Sequence, residues 1–152
     1  MNILNVLDSI GRGGLERQFV ELLKGIDKNK FKIFTIAFEE PAISYIEEIK
    51  TYSDVYFRIK RKIKYDPTVF VKIYKICKQM NIDLIHVWGG MSGFYSIPSW
   101  ILAKAKFLNG SIRDVDRKKS FQQLINLLIL KFSPNVVANS YAGLKAYNIK
   151  KG

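Results

Sequence analysis

The chain has 152 residues, 48% of them hydrophobic, and 25 lysines and arginines against 13 acidic residues give it a formal charge of +12. One ordinary domain with a real core fits that length, and the apolar content excludes a disordered chain. The basic excess calls for an anionic partner, whether phospholipid head groups, nucleotide phosphates or nucleic acid, and the single cysteine, Cys77, excludes an internal disulfide and fits a reducing compartment.

The N-terminus enters an apolar run, Asn2–Leu7, at once and shows no signal region, so the expected location is cytoplasmic. Asp8–Gly14 follows as a turn with Gly11, Gly13 and Gly14. In Leu15–Ile26 the residues Leu15, Phe19, Leu22, Leu23 and Ile26 recur at helical spacing. A glycine turn opening a helix leaves backbone N–H groups free for an anion, with Arg12 and Arg17 adding charge; it equally serves a tight crossover packed on a sheet. Lys32–Phe38 is a β-branched and aromatic run and reads as a second strand. Pro41 opens a short helix to about Lys50, with Ile43, Ile46 and Ile49 turned inward. Asp54–Ile59 is a third, weaker strand.

Asp66-Pro67 is a good helix start, and Val69, Phe70, Ile73, Ile76, Cys77 and Met80 form the apolar face behind it. Cys77 is therefore expected to be a buried structural thiol. Asp83–Trp88 reads as a buried fourth strand ending in Gly89-Gly90-Met91-Ser92-Gly93, and Phe94–Ala105 as a helix with Pro98 in its first turns. A fifth strand falls within Lys106–Arg113, an almost wholly apolar helix spans Ser120–Phe132, a sixth strand lies at Asn135–Asn139, and Ser140 begins a last helix. Leu84–Ala103 is long enough to span a membrane and carries no formal charge. Its glycines, serines and Pro98 fit a strand, turn and helix instead.

This alternation predicts an α/β fold: one domain over 1–152, a Rossmann-like three-layer sandwich with a mostly parallel six-stranded sheet. Ligands in such sheets bind at the carboxyl ends of the strands, where the loops Asp8–Gly14, Trp88–Gly93 and Arg113–Arg117 converge. The turn matches a dinucleotide fingerprint incompletely, because the third glycine position falls at Glu16, although Glu39 or Glu40 could pose as the ribose acid. No P-loop occurs. Nucleic-acid binding would also use the charge, but the aromatics lie at core positions and no recognition module can be traced.

Gly13-Gly14-Leu15-Glu16-Arg17 after the first strand resembles the G-G-x-E-R turn of the family 4 (group 1) glycosyltransferases. Ile82-Asp83-Leu84-Ile85-His86-Val87-Trp88-Gly89 resembles that family's D-[IL]-[IV]-H-x-H strand end, and Val137-Ala138-Asn139-Ser140 its last strand and helix start. The resemblance runs through nearly the whole chain. It implies the acceptor-binding, N-terminal half of a GT-B enzyme that moves a hexose from a nucleotide sugar to a glycan or lipid-linked acceptor in surface polysaccharide synthesis. The chemistry would be retaining, carried by stabilisation of the departing phosphate, with no cofactor beyond the nucleotide-sugar substrate and no metal. The donor-binding half, with its basic pair and E-x7-E motif, is not in these residues, so the chain alone is expected to be inactive.

Carried over residue by residue, Gly13 and Gly14 would lie beside donor phosphate and acceptor, with Arg17 adding charge, and His86 matches the first histidine. Trp88 stands where the family has a second histidine; it would wall a sugar ring or simply pack. Arg113 and Asp114 sit in the right loop to hold acceptor hydroxyls or a phosphate, or to bond one another. Arg58, Lys60, Arg61, Lys62 and Lys64, interleaved with Ile59 and Ile63, would form a patch for an anionic membrane or merely a solvated connection.

Overall fold

A computed structural model describes residues 1–63, 65–112 and 121–138, with Gly143 and Lys145 as single helical positions. In chain order the elements are β1 (Asn2–Ser9), α1 (Gly14–Gly25), β2 (Lys32–Glu39), α2 (Ile46–Tyr52), β3 (Val55–Arg58) and α3 (Thr68–Gln79). They continue with β4 (Leu84–Val87), α4 (Gly90–Ala103), β5 (Lys106–Ile112), α5 (Phe121–Phe132) and β6 (Asn135–Ala138). The six strands form one sheet in the order β3-β2-β1-β4-β5-β6, every pair parallel. The expected Rossmann-like three-layer sandwich is what the chain builds.

Parallel strands buried on both faces need near-continuous apolar runs, and β2 supplies one, buried from Ile33 to Phe38. On one face Leu4, Val6, Phe34, Ile36, Ile85, Val87 and Phe107 pack with Ile73 and Ile76 of α3 and Tyr95 of α4. On the other, Leu7, Ile33, Ala37 and Trp88 meet Phe19, Val20 and Leu23 of α1 and Ile49 of α2. β1 and β2 thus divide their side chains between the two helical layers, as the period of two requires.

Strand order reverses between β1 and β4. From β1 the chain leaves through α1 towards β2, and from β4 it leaves through α4 towards β5 on the opposite side. The crevice between their carboxyl ends is the topological switch point, where open α/β sheets take ligands. The Asp8–Gly14 and Gly89–Gly93 segments flank it.

Two helix starts and the burial of α5 differ from expectation. α2 begins at Ile46 rather than at Pro41, because Tyr45 donates its amide to the Ile10 carbonyl (3.0 Å) and Ser44 bridges to Gly11, which ties the preceding residues to the first turn. Ile43 is consequently 73% exposed and not part of an inward stripe. α4 begins at Gly90, four residues before Phe94, so Pro98 lies inside the helix rather than in its first turns. α5 buries Ile125, Ile129 and Leu130 but leaves Leu124, Leu127, Leu128 and Phe132 exposed. Among the described residues no helix is long and apolar enough to cross a membrane. Asn139 lies outside the described residues, and of the helix expected from Ser140 only Gly143 and Lys145 are described, both as helical positions.

Candidate functional site

The turn from β1 to α1 is pinned from below and open above. Ser9 Oγ accepts the Gly11 amide (3.2 Å), and Ile10 donates to the Glu39 carbonyl (3.2 Å). A Cβ on Gly11 would lie 3.4 Å from Pro41 Cγ, in tight contact with the loop after β2. Gly13 caps α1 in an extended conformation with no side chain to bond the first amides, and nothing lies within 4 Å of where a Cβ on Gly14 would stand. Gly13, Gly14, Arg12 and Arg17 are all exposed. Arg12 leans over the Tyr45 ring, 5.4 Å from its centroid. These are the amides and cations that an anion would meet at a helix start.

Across the crevice the start of α4 is already filled. The Asp8 carboxylate, projecting from β1, accepts from the amides of Ser92 (2.5 Å) and Met91 (3.2 Å). Ser92 Oγ also accepts from the Gly89 amide and donates to the Gly89 carbonyl. A Cβ on Gly89 would collide with the Asp8 carboxylate, and one on Gly90 with the Asn126 side chain. Burial pushes the Asp8 pKa up, against the opposing pull of the Ser92 and Met91 amides and the charge of Arg61. The sequence marked Asp8 only as a turn residue. Its role becomes visible once β4 is known to lie beside β1.

His86 sits within β4, between Asn5 of β1 and Leu108 of β5 in register, and is 9% exposed with its ring 4.5 Å from that of Trp88. Trp88 is 4% exposed. Its indole N–H donates to Asn5 Oδ1 (3.2 Å), and its ring meets Phe19 of α1 edge to face at 5.0 Å. Of the two alternatives for Trp88, the structure shows packing: its ring is core under α1 and presents no wall to the crevice. Gly13, Gly14 and Arg17 share the open rim, His86 and Trp88 lie buried beneath it, and Arg113 and Asp114 lie outside the described residues.

The basic run is only partly free charge. Arg58 pairs with Glu40 (2.9 Å), whose other oxygen accepts from Tyr56 Oη (2.6 Å). Arg61 pairs with Glu39 and lies over the Phe38 ring at 5.7 Å. Glu39 and Glu40, the acids that a dinucleotide ribose would have used, are therefore engaged by arginines. Ile59 is buried, Lys60 and Lys62 are exposed, and Lys64 lies outside the described residues. Among the described residues no group of three histidine, cysteine or acidic side chains could hold a metal. Cys77 is buried under α3, and burial lifts its thiol to about 12, which makes it inert.

A parallel sheet in the order 3-2-1-4-5-6, with an open glycine turn at its switch point, defines the Rossmann-like domain class from which GT-B enzymes are built. The family model of Glycosyltransferase Family 4 matches residues 12–143, and the chain belongs to that family.

Solved GT-B glycosyltransferases share its fold. HepE of Anabaena, in complex with UDP, superposes with a TM-score of 0.78 at 15% identity over 97% of this chain and 40% of its own. The same protein has been solved with UDP-glucose. The lipopolysaccharide outer core galactosyltransferase WaaB, in its apo form, gives 0.73 at 14% identity over 99% of this chain and 43% of its own. MurG of Acinetobacter baumannii gives 0.62 at 11% identity over 91% and 41%. The chain spans about two fifths of the length of these relatives. No curated protein sequence matches it.

Proposed function

We propose that residues 1–152 are the acceptor-binding half of a glycosyltransferase that moves a hexose, with retention of configuration, from a nucleotide sugar to a glycan or lipid-linked acceptor in surface polysaccharide synthesis. The observation that carries this is the start of α1 at the switch point, where no side-chain hydrogen bond caps the helix and Gly14 is clear of side chains, with only the Glu16 carboxylate lying against Gly13, in a chain of Glycosyltransferase Family 4. A second domain of similar size supplies the donor pocket. The open amides of α1 then face the donor phosphates across the cleft and stabilise the charge that develops as the nucleotide departs.

Two measurements test this. The natural gene product should have an intact mass about twice that of this chain. That protein should release nucleoside diphosphate from a nucleotide sugar only when acceptor is present, and Gly14→Glu should cut the rate at least about tenfold by placing a carboxylate where the phosphate belongs. Turnover by residues 1–152 alone would overturn the division of labour.

Peripheral contact with the cytoplasmic face of an anionic membrane belongs to the same proposal. The outward stripe of α5, Leu124, Leu127, Leu128 and Phe132, is exposed, with Lys131 beside it, and Lys60 and Lys62 have no carboxylate partner among the described residues. Co-sedimentation with vesicles containing anionic lipid should fall on Leu124→Glu with Leu128→Glu. Equal pelleting of the variant would remove that contact.

A further inference from the structure

We propose that the cavity at the carboxyl ends of β2 and β3 is a subsite for an anionic sugar, one bearing a phosphate or a carboxylate. This rests on the acceptor-binding function and names the chemistry of the acceptor. The cavity holds about 530 Å³, within the range of ordinary ligand sites. Its cationic lining is Arg58, Lys60, Arg61 and Lys62, against the carboxylates of Glu39 and Glu40.

The two kinds of charge play different parts. Glu40 fixes Arg58 and Glu39 fixes Arg61, so both guanidiniums are held in place and both carboxylates keep oxygen lone pairs for a hydroxyl. These pairs cancel in charge and suit the neutral, hydroxyl-bearing part of a sugar. Lys60 and Lys62 have no carboxylate partner among the described residues and leave the lining with an excess of two positive charges. Phe38, Pro41 and Ile63 supply the apolar surface on which a pyranose ring can rest. A neutral sugar would leave the lysine charge unanswered, and a bare anion would leave the glutamates unused.

Position ties the cavity to the reaction centre. Pro41, one of its walls, is the residue against which Gly11 of the open turn packs, and Ile10 bonds the Glu39 carbonyl. The cavity thus adjoins the open turn, with Pro41 as the wall between them.

The test is titration of ¹⁵N-labelled 1–152 with glucose 1-phosphate, glucuronate, glucose and inorganic phosphate. Glucose 1-phosphate, glucuronate or both should saturably shift the amides of Glu39, Glu40 and residues 58–63, with glucose and phosphate weaker by about tenfold or more. Whichever of the two binds more tightly identifies the source of the negative charge. Lys60→Ala with Lys62→Ala should abolish the preference for the charged sugar and leave Tm unchanged, since both side chains are exposed. Equal response to glucose, equal response to inorganic phosphate, or indifference to the two lysines would each overturn the subsite. Shifts confined to residues 11–14 would overturn it while leaving the acceptor-binding function intact. No shift with any sugar would count against both.

Discussion

The two glycine turns that flank the switch point start from one sequence signal and end in opposite states. Each follows a parallel strand and opens a helix. At α4 the free amides of Met91 and Ser92 are taken by Asp8, a carboxylate lent by the neighbouring strand, and the glycines are there because Asp8 and Asn126 leave no room for a Cβ. At α1 no side chain caps the helix and Gly14 borders empty space. Glycine therefore means close packing at Gly89 and Gly90 and access at Gly14. A helix start attracts negative charge wherever it is found, and the protein has satisfied one with a side chain hydrogen-bonded to its amides, while the other has no capping side chain and only the Glu16 carboxylate beside it.

The comparison breaks most visibly under one substitution made twice. Gly89→Ala must displace a carboxylate that two amides and a serine hold in place, and it should cost about 2–4 kcal/mol through lost hydrogen bonds and crowding. Gly14→Ala adds a methyl group to a helical position with nothing near it, and should leave the fold unchanged or stabilise it by up to about 1 kcal/mol. Urea unfolding of the two variants checks both signs. If Gly89→Ala were as harmless as Gly14→Ala, the closed turn would not be closed.

Asp8→Ala should cost about 1–3 kcal/mol by leaving the Met91 and Ser92 amides unpaired. Its pH dependence sharpens the point against Asp66, which sits at the start of α3. Burial raises the Asp8 pKa from 3.8, so the stability tied to its protonated form is fully present below that value and is lost as pH rises through the raised one. Asp66 accepts from the Lys62 amide and from the Thr68 hydroxyl and amide, which hold it down to about 2. Its contribution is present above 3.8 and lost as pH falls towards 2. Unfolding midpoints against pH for Asp8→Asn and Asp66→Asn, each relative to the parent chain, should therefore slope in opposite directions. Parallel slopes would mean that burial does not dominate at Asp8.

What could be read in advance follows the same division. Period and turn chemistry placed all six strands and five helices, because each buries an apolar run whose spacing is local information. Two helix starts were misplaced for non-local reasons. α2 is delayed by the bond from Tyr45 to Ile10, and α4 is advanced because Asp8, 83 residues before Met91, caps its first turn. Ile43 looked inward only while it was counted in the helix. Gly13, Gly14 and Arg17 were singled out by their motif, and the structure leaves all three exposed. Trp88 was open to two roles because a sequence does not show which face of the sheet the residue after β4 joins. Half of the Arg58–Lys62 charge is cancelled by glutamates that only the pairing of β2 with β3 brings alongside, which is why that run looked more basic than it is.

The smallest effect concerns the layer beneath the open turn. Trp88 joins the end of β4 to β1 through its bond to Asn5 Oδ1, both residues being buried, and Asn5 Nδ2 has no hydrogen-bond partner among the described residues. Trp88→Phe keeps an aromatic ring against Phe19 but strands the Asn5 oxygen, at a cost of about 1 kcal/mol. Adding Asn5→Leu removes the stranded group, so the double variant should be at least as stable as the single one, since an apolar pair carries no desolvation penalty. Chemical denaturation of both variants decides it. A double variant less stable than Trp88→Phe alone would mean that Asn5 holds the sheet by something other than its bond to the indole. The floor of the open turn would then rest on polar contacts of Asn5 as well as on the packing of α1.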